Sequence, residues 1–201
     1  MKALHRQDLF GWSRFDEARN LDFHSVLWVR PEGNVVVDPL PLSEHDTMHL
    51  RSLGGVAWVV LTNPDHVRAT RELIDTFGAK VAGPRAGADS FPLRCDRWLA
   101  DGESLVPGLV ALELHGSKTP GELAFLLEDT TLVTGDLLRA HLGGRLHLLP
   151  DAKLKDPVQA RASVRGLLAW PRIDAVLVGD GWPVFRGGRV VLEELVAGFP
   201  D

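Results

Sequence analysis

At 201 residues, with 45% hydrophobic and 24% charged residues, the chain has the composition of an ordinary globular protein and the length of one domain, residues 1–201, with a sizeable core. Its formal net charge of −5, with both signs interspersed, offers no basic face for nucleic acid, and no apolar run approaches the roughly 20 residues that cross a bilayer. The single cysteine, Cys95, excludes an internal disulfide and a cysteine zinc cluster; with an N-terminal stretch lacking the apolar centre of a secretory signal, it predicts a cytoplasmic protein.

In chain order, residues 23–30 and 34–38 read as strands on either side of the turn Pro31-Glu32-Gly33. Ser43, with Asp46 three residues on, offers a cap for a short helix that ends at Gly54-Gly55. Residues 56–61 form a continuous apolar run, the pattern of a buried strand. A loop at 62–65 leads into a helix over 66–77 that carries Val67, Leu73, Ile74 and Phe77 and stops at Gly78. A short strand at 81–83 precedes a meander over 93–99, 104–106 and 109–114, with turns at Asp101-Gly102 and Pro107-Gly108. Residues 122–127 and 131–134 form a hairpin around Glu128-Asp129-Thr130. A helix from Pro157 to about 170, a strand at 175–178 and a helix at 191–198 complete the chain. Two halves, each of strands followed by helices, predict a four-layer αββα sandwich of the α/β class.

Polar residues stand where predicted strands end: Asp38, Asp65 with His66, Lys118, Asp136 and Asp180. Sites in α/β folds are assembled from distant segments in this way. Any one such aspartate serves equally as a turn or helix cap, so spacing alone assigns no chemistry.

The order of short motifs is more specific. Val35-Val36-Val37-Asp38 resembles the hydrophobic strand ending in Asp of metallo-β-lactamase-fold hydrolases, and Leu61-Thr62-Asn63-Pro64-Asp65-His66 resembles a shortened form of their T-H-x-H-x-D-H loop without its first two histidines. Lys118-Thr119-Pro120-Gly121 is similar to their G-H-T-P-G segment with Lys in the ligand position. Val133-Thr134-Gly135-Asp136 matches the strand ending in Gly-Asp, and Val178-Gly179-Asp180-Gly181 resembles the closing G-H-G with Asp in place of His. These landmarks keep the family's order from about residue 22 to 185.

The resemblance implies a metallo-β-lactamase-like fold that has lost its first metal site. Asp65, His66, Asp136 and Asp180 match the second site, implying at most one divalent ion, with zinc, manganese and iron all compatible with an oxygen-rich ligand set. The expected activity is then metal-dependent hydrolysis of a small ester, thioester or phosphoester, with Asp65 or Asp136 orienting the nucleophile and Lys118 stabilising developing negative charge. The alternative uses the same residues without metal: Lys118 pairs with Asp136 or Asp180 and the pocket serves as a non-catalytic ligand-binding or interaction module. The expected partner is a small-molecule substrate or ligand, with a homodimer as the default assembly and neither nucleic acid nor membrane.

Other residues carry weaker signals. His115 stands three residues before Lys118 as a substitute ligand or an ordinary strand-end residue, and His141 and His147 lie in a segment expected to line the pocket. His45 and His49 share a helix face but lack the Glu of a metalloprotease helix. Most of the six tryptophans read as core, with Trp182 near Asp180 as the exception. No G-x-S-x-G elbow, phosphate-binding loop or dinucleotide fingerprint is present.

Overall fold

The computed structural model describes residues 1–200. Four antiparallel strands come first, β1 (Lys2–Ala3), β2 (Leu9–Asp16), β3 (Leu21–Trp28) and β4 (Val35–Val37). The turn into β4 is fastened by the buried Asn34 side chain, which accepts from Arg30 N at 2.9 Å and donates to the carbonyls of Leu53 and Gly55, each at 2.8 Å. Helix α1 (Glu44–Ser52) is capped as expected, Ser43 Oγ accepting from Asp46 N at 3.1 Å. Strand β5 (Trp58–Val60), helix α2 (Thr70–Phe77), strand β6 (Lys80–Pro84) and strand β7 (Arg97–Leu99) follow, and the three strands extend the same sheet by parallel pairing, giving seven strands in sequence order.

A second sheet contains β8 (Leu109–Leu114), β9 (Glu122–Leu127) and β10 (Thr131–Val133) as an antiparallel meander. A separate hairpin, β11 (Leu138–Leu142) with β12 (Arg145–Leu148), leads to α3 (Pro157–Gly166). Strand β13 (Ala175–Leu177) then pairs in parallel with β10, and α4 (Gly188–Ala197) follows.

Burial explains the layers. Val35, Val37, Val60 and Ala82 of the first sheet meet Leu109, Leu123, Phe125, Leu127 and Val133 of the second in a core between the sheets. Val36, Val59 and Val81, one residue out of phase and therefore on the opposite face, pack beneath Leu50 of α1 and Leu73 of α2. Leu112, Ala124, Leu126 and Val176 likewise pack beneath Ala160 and Val164 of α3 and Leu192 of α4. Both faces of the central strands are therefore covered, which is why their sequences are apolar throughout rather than alternating. The αββα sandwich is the architecture expected.

Some local expectations change. The N-terminal stretch, for which no strand is expected, supplies β1 and β2; only two of the eight residues of β2 are buried, which weakens its apolar signal. The helix read over 66–77 begins at Thr70 after a 3₁₀ turn at Pro64–His66. The strand read at 93–99 contracts to β7, and 104–106 is not a strand, contributing only an isolated bridge from Ser104 to Val110. The β11–β12 hairpin was not foreseen, because its half-exposed residues carry no continuous apolar run. Among the described residues no helix is long and apolar enough to cross a membrane.

Candidate functional site

The loops that follow β4, β5, β10 and β13, together with the β8–β9 loop and the start of β11, converge on one cleft of about 810 Å³. Its walls include Asp65, His66, Lys118, Asp136 and Asp180, every residue assigned to the site by the sequence, and also Arg68 and Arg139. Parallel strands end together on one edge of each sheet, which brings segments far apart in sequence to one place.

Asp38, directly after β4, has φ +48, a left-handed conformation uncommon for a residue with a side chain. Its carboxylate accepts from Thr62 N at 2.8 Å, Thr62 Oγ1 at 2.6 Å and His66 Nδ1 at 2.7 Å. These bonds tie the end of β4 to the loop after β5 and fix the ring of His66, whose Nε2 faces Asp136 Oδ1 at 3.5 Å. Burial pulls the His66 imidazole down, but the neighbouring Asp38 and Asp136 carboxylates outweigh it and raise the pKa to about 9. At neutral pH His66 is therefore a cation.

Lys118 reaches across from the β8–β9 loop and places Nζ 2.7 Å from Asp65 Oδ2 and 2.8 Å from Asp136 Oδ2. Burial lowers the affinity of its amine for a proton, and the two carboxylates more than restore it, so Lys118 titrates above an ordinary lysine. Asp136 is nearly buried and also receives Asn63 Nδ2 at 3.3 Å. Burial alone would raise its pKa; hydrogen bonding and charge from His66 and Lys118 hold it well below the usual carboxylate range.

Arg139 of β11 lies between Asp136 and Asp180, with Nη2 2.7 Å from Asp180 Oδ2 and 3.6 Å from Asp136 Oδ1. The contact with Asp180 is close but poorly directed: Arg139 Nε and both Asp180 oxygens are buried and complete no hydrogen bond. His141 Nε2 stands 3.6 Å from Asp180 Oδ2, and its ring packs edge-on against His147 at 4.7 Å. Glu122 is fully buried behind the site, accepting from Leu137 N at 2.6 Å and from the Ser117 hydroxyl. Burial, reinforced by the charge of Asp136, pushes its pKa up to about 7.

The four expected ligands do not fit a divalent ion in this arrangement. Among the described residues no group of three or more His, Cys, Asp or Glu side chains is placed to hold one. Lys118 lies between Asp65 and Asp136, and Arg139 lies between Asp136 and Asp180, so cations of the chain itself occupy the space between the carboxylates. His115 is exposed and faces Glu113 on a different hollow, and Trp182, also exposed, borders a third. Cys95 is a buried free thiol. Arg68, Arg139 and Glu122 were not picked out from the sequence. The signal available for Arg139 was indirect: three clustered carboxylates need counter-charge, and it stands three residues after Asp136.

Residues 1–199 match the family described as "Metallo-beta-lactamase superfamily". The chain belongs to the metallo-β-lactamase superfamily. It is 31% identical over 115 residues to a hydroxyacylglutathione hydrolase from Acidiphilium cryptum (strain JF-5), a match covering 55% of this chain and 47% of that protein, so that it spans about half the length of this curated relative. Among solved structures, it is similar to the metallo-β-lactamase FIM-1 from Pseudomonas aeruginosa in a mono-zinc form, with TM-score 0.76, 13% identity and coverage of 99% of this chain and 96% of the other. A metallo-β-lactamase family protein from Thermus thermophilus gives TM-score 0.71 at 20% identity, covering 96% and 79% of the two chains. TTHA1623 in a di-iron-bound form gives 0.65 at 24%, covering 89% and 96%. These structural likenesses show that the superfamily's fold is present.

Proposed function

We propose that the cleft is a metal-free binding site for a small organic molecule, with Lys118 and Arg139 balancing the carboxylates that the superfamily resemblance assigns to metal. The observation that carries this reading is the position of Lys118 Nζ, 2.7 Å from Asp65 and 2.8 Å from Asp136. A clustered set of carboxylates needs positive charge to remain ionised away from bulk water, and a tethered ammonium supplies it without an exchangeable ion. A guanidinium between Asp136 and Asp180 does the same on the other side.

The second reading is a one-metal hydrolase of a small ester, thioester or phosphoester using Asp65, His66, Asp136 and Asp180. The unsatisfied, buried oxygens of Asp180 favour it, as does the similarity to a hydroxyacylglutathione hydrolase. Elemental analysis of tag-free protein separates the two. The metal-free reading expects no stoichiometric ion as purified or after incubation with zinc, manganese or iron, and no hydrolysis that an Asp136→Ala control abolishes. A stoichiometric ion in the wild type that is lost in Asp136→Ala sinks it in favour of the hydrolase.

A further inference from the structure

Arg68 differs from the other two partly buried cations of the cleft, Lys118 and Arg139. Lys118 and Arg139 each touch two carboxylates, whereas among the described residues no carboxylate lies within ion-pair distance of Arg68. Its Nη1 is anchored by donating to the backbone carbonyls of His24 and Asp38, each at 3.2 Å. Among the described residues Nε and Nη2 have no hydrogen-bond partner, and neither is fully buried, so this edge of the guanidinium keeps some solvent exposure on a residue that lines the cleft. The backbone at Arg68 has φ +38, a conformation that costs about 1–3 kcal/mol for a residue with a side chain and is found disproportionately at functional positions.

The surroundings define what this edge can hold. Arg68 and Arg19 flank the ring of Phe23, each guanidinium carbon 5.5 Å from its centroid, and Arg19 is already engaged by Asp16. Leu21, Phe23 and Pro41 add apolar surface beside the charged floor, and Lys153 lines the same cleft. A planar fork anchored at one nitrogen matches the paired oxygens of an acid and loses little freedom on binding.

We propose that Arg68 binds the acidic group of a small organic anion, a carboxylate or phosphate, whose apolar body lies along Phe23, Leu21 and Pro41. This rests on the metal-free reading of the cleft, since a bound divalent ion would itself attract the acidic group.

The test uses tag-free, chelator-dialysed protein, titrated calorimetrically with hexanoate, hexyl phosphate and, as the neutral comparison, hexanamide. Saturable single-site binding of at least one acid but not the amide is expected, with ligand-methyl to Phe23 ring contacts by NMR; whichever acid binds more tightly identifies the group. Arg68→Gln is expected to weaken that binding by about tenfold or more, as loss of a charge-assisted pair does. Arg68→Lys keeps the cation but lacks the fork, and a several-fold loss is expected there even if the Gln variant fails to fold. Equal binding of acid and amide, or unchanged acid binding in a folded variant, overturns the proposal. Absence of acid binding to protein that elemental analysis shows to be metal-free overturns it while leaving the metal-free reading in place. Binding that disappears on chelation and returns with zinc overturns both.

Discussion

An imidazolium held between two carboxylates acts as a structural cation, and at His66 this makes folding sensitive to pH. The folded His66 keeps its proton up to about pH 9, above the ordinary value near 6.5, so its stabilising contribution is complete below about 6.5 and is lost as pH rises through 9. Glu122 shifts in the same sense: raised from 4.5 to about 7, it favours the folded state fully below 4.5 and loses that advantage as pH rises through 7. Asp136 is shifted the opposite way, and its contribution, present above the unfolded value of 3.8, is lost in acid. Stability is therefore expected to peak in mildly acidic solution and to fall by a few kcal/mol toward pH 9, each raised group contributing on the order of 3 kcal/mol at most. Urea midpoints at several pH values measure this, and Glu122→Gln should flatten the lower part of the decline. A midpoint that rises steadily from mildly acidic to alkaline pH contradicts the assignment.

The elements hold these residues by close backbone approach. Gly135, between β10 and Asp136, faces the loop after β5 so tightly that an added Cβ would stand 2.6 Å from Thr62 Oγ1 and 3.0 Å from Asn63 Nδ2. Thr62 Oγ1 is the hydroxyl that bonds Asp38, and Asn63 Nδ2 contacts Asp136, so one methyl group would disturb both sides of the site. Gly135→Ala is expected to cost about 1–3 kcal/mol, the range for overpacking a filled interior. It should also perturb the His66 ring signals in NMR spectra. A variant with wild-type stability and unshifted His66 resonances would show that this loop is looser than its geometry implies.

For the whole molecule, the core between the sheets holds together the two sheets whose strand-end loops carry Asp65 and Lys118. Phe125 is fully buried there with Trp28, Leu109 and Leu127, and β9, which carries it, begins just after the loop holding Lys118. Phe125→Ala should lower stability by about 3–5 kcal/mol, the usual loss for a buried aromatic truncated to alanine. The measurement is the urea midpoint, and a loss below about 1 kcal/mol would mean that the sheets close over the gap.

The sequence by itself determined the layered fold and the family, because both depend on local patterns. Apolar runs such as Val35-Val36-Val37 identify strands covered on both faces, Ser43 with Asp46 caps α1, and the strand-end motifs from Asp38 to Asp180 keep their order along the chain. It also placed Asp65, His66, Lys118, Asp136 and Asp180 together, since residues following strands of one sandwich share an edge. Tertiary structure decided how their charges are satisfied. Arg139 reaches its two carboxylates from an unforeseen hairpin, and Arg68 is anchored by carbonyls of residues 24 and 38, far from it in sequence. Pairing a charge depends on distances of a few ångströms between side chains from separate elements, and no periodicity along the chain encodes such distances.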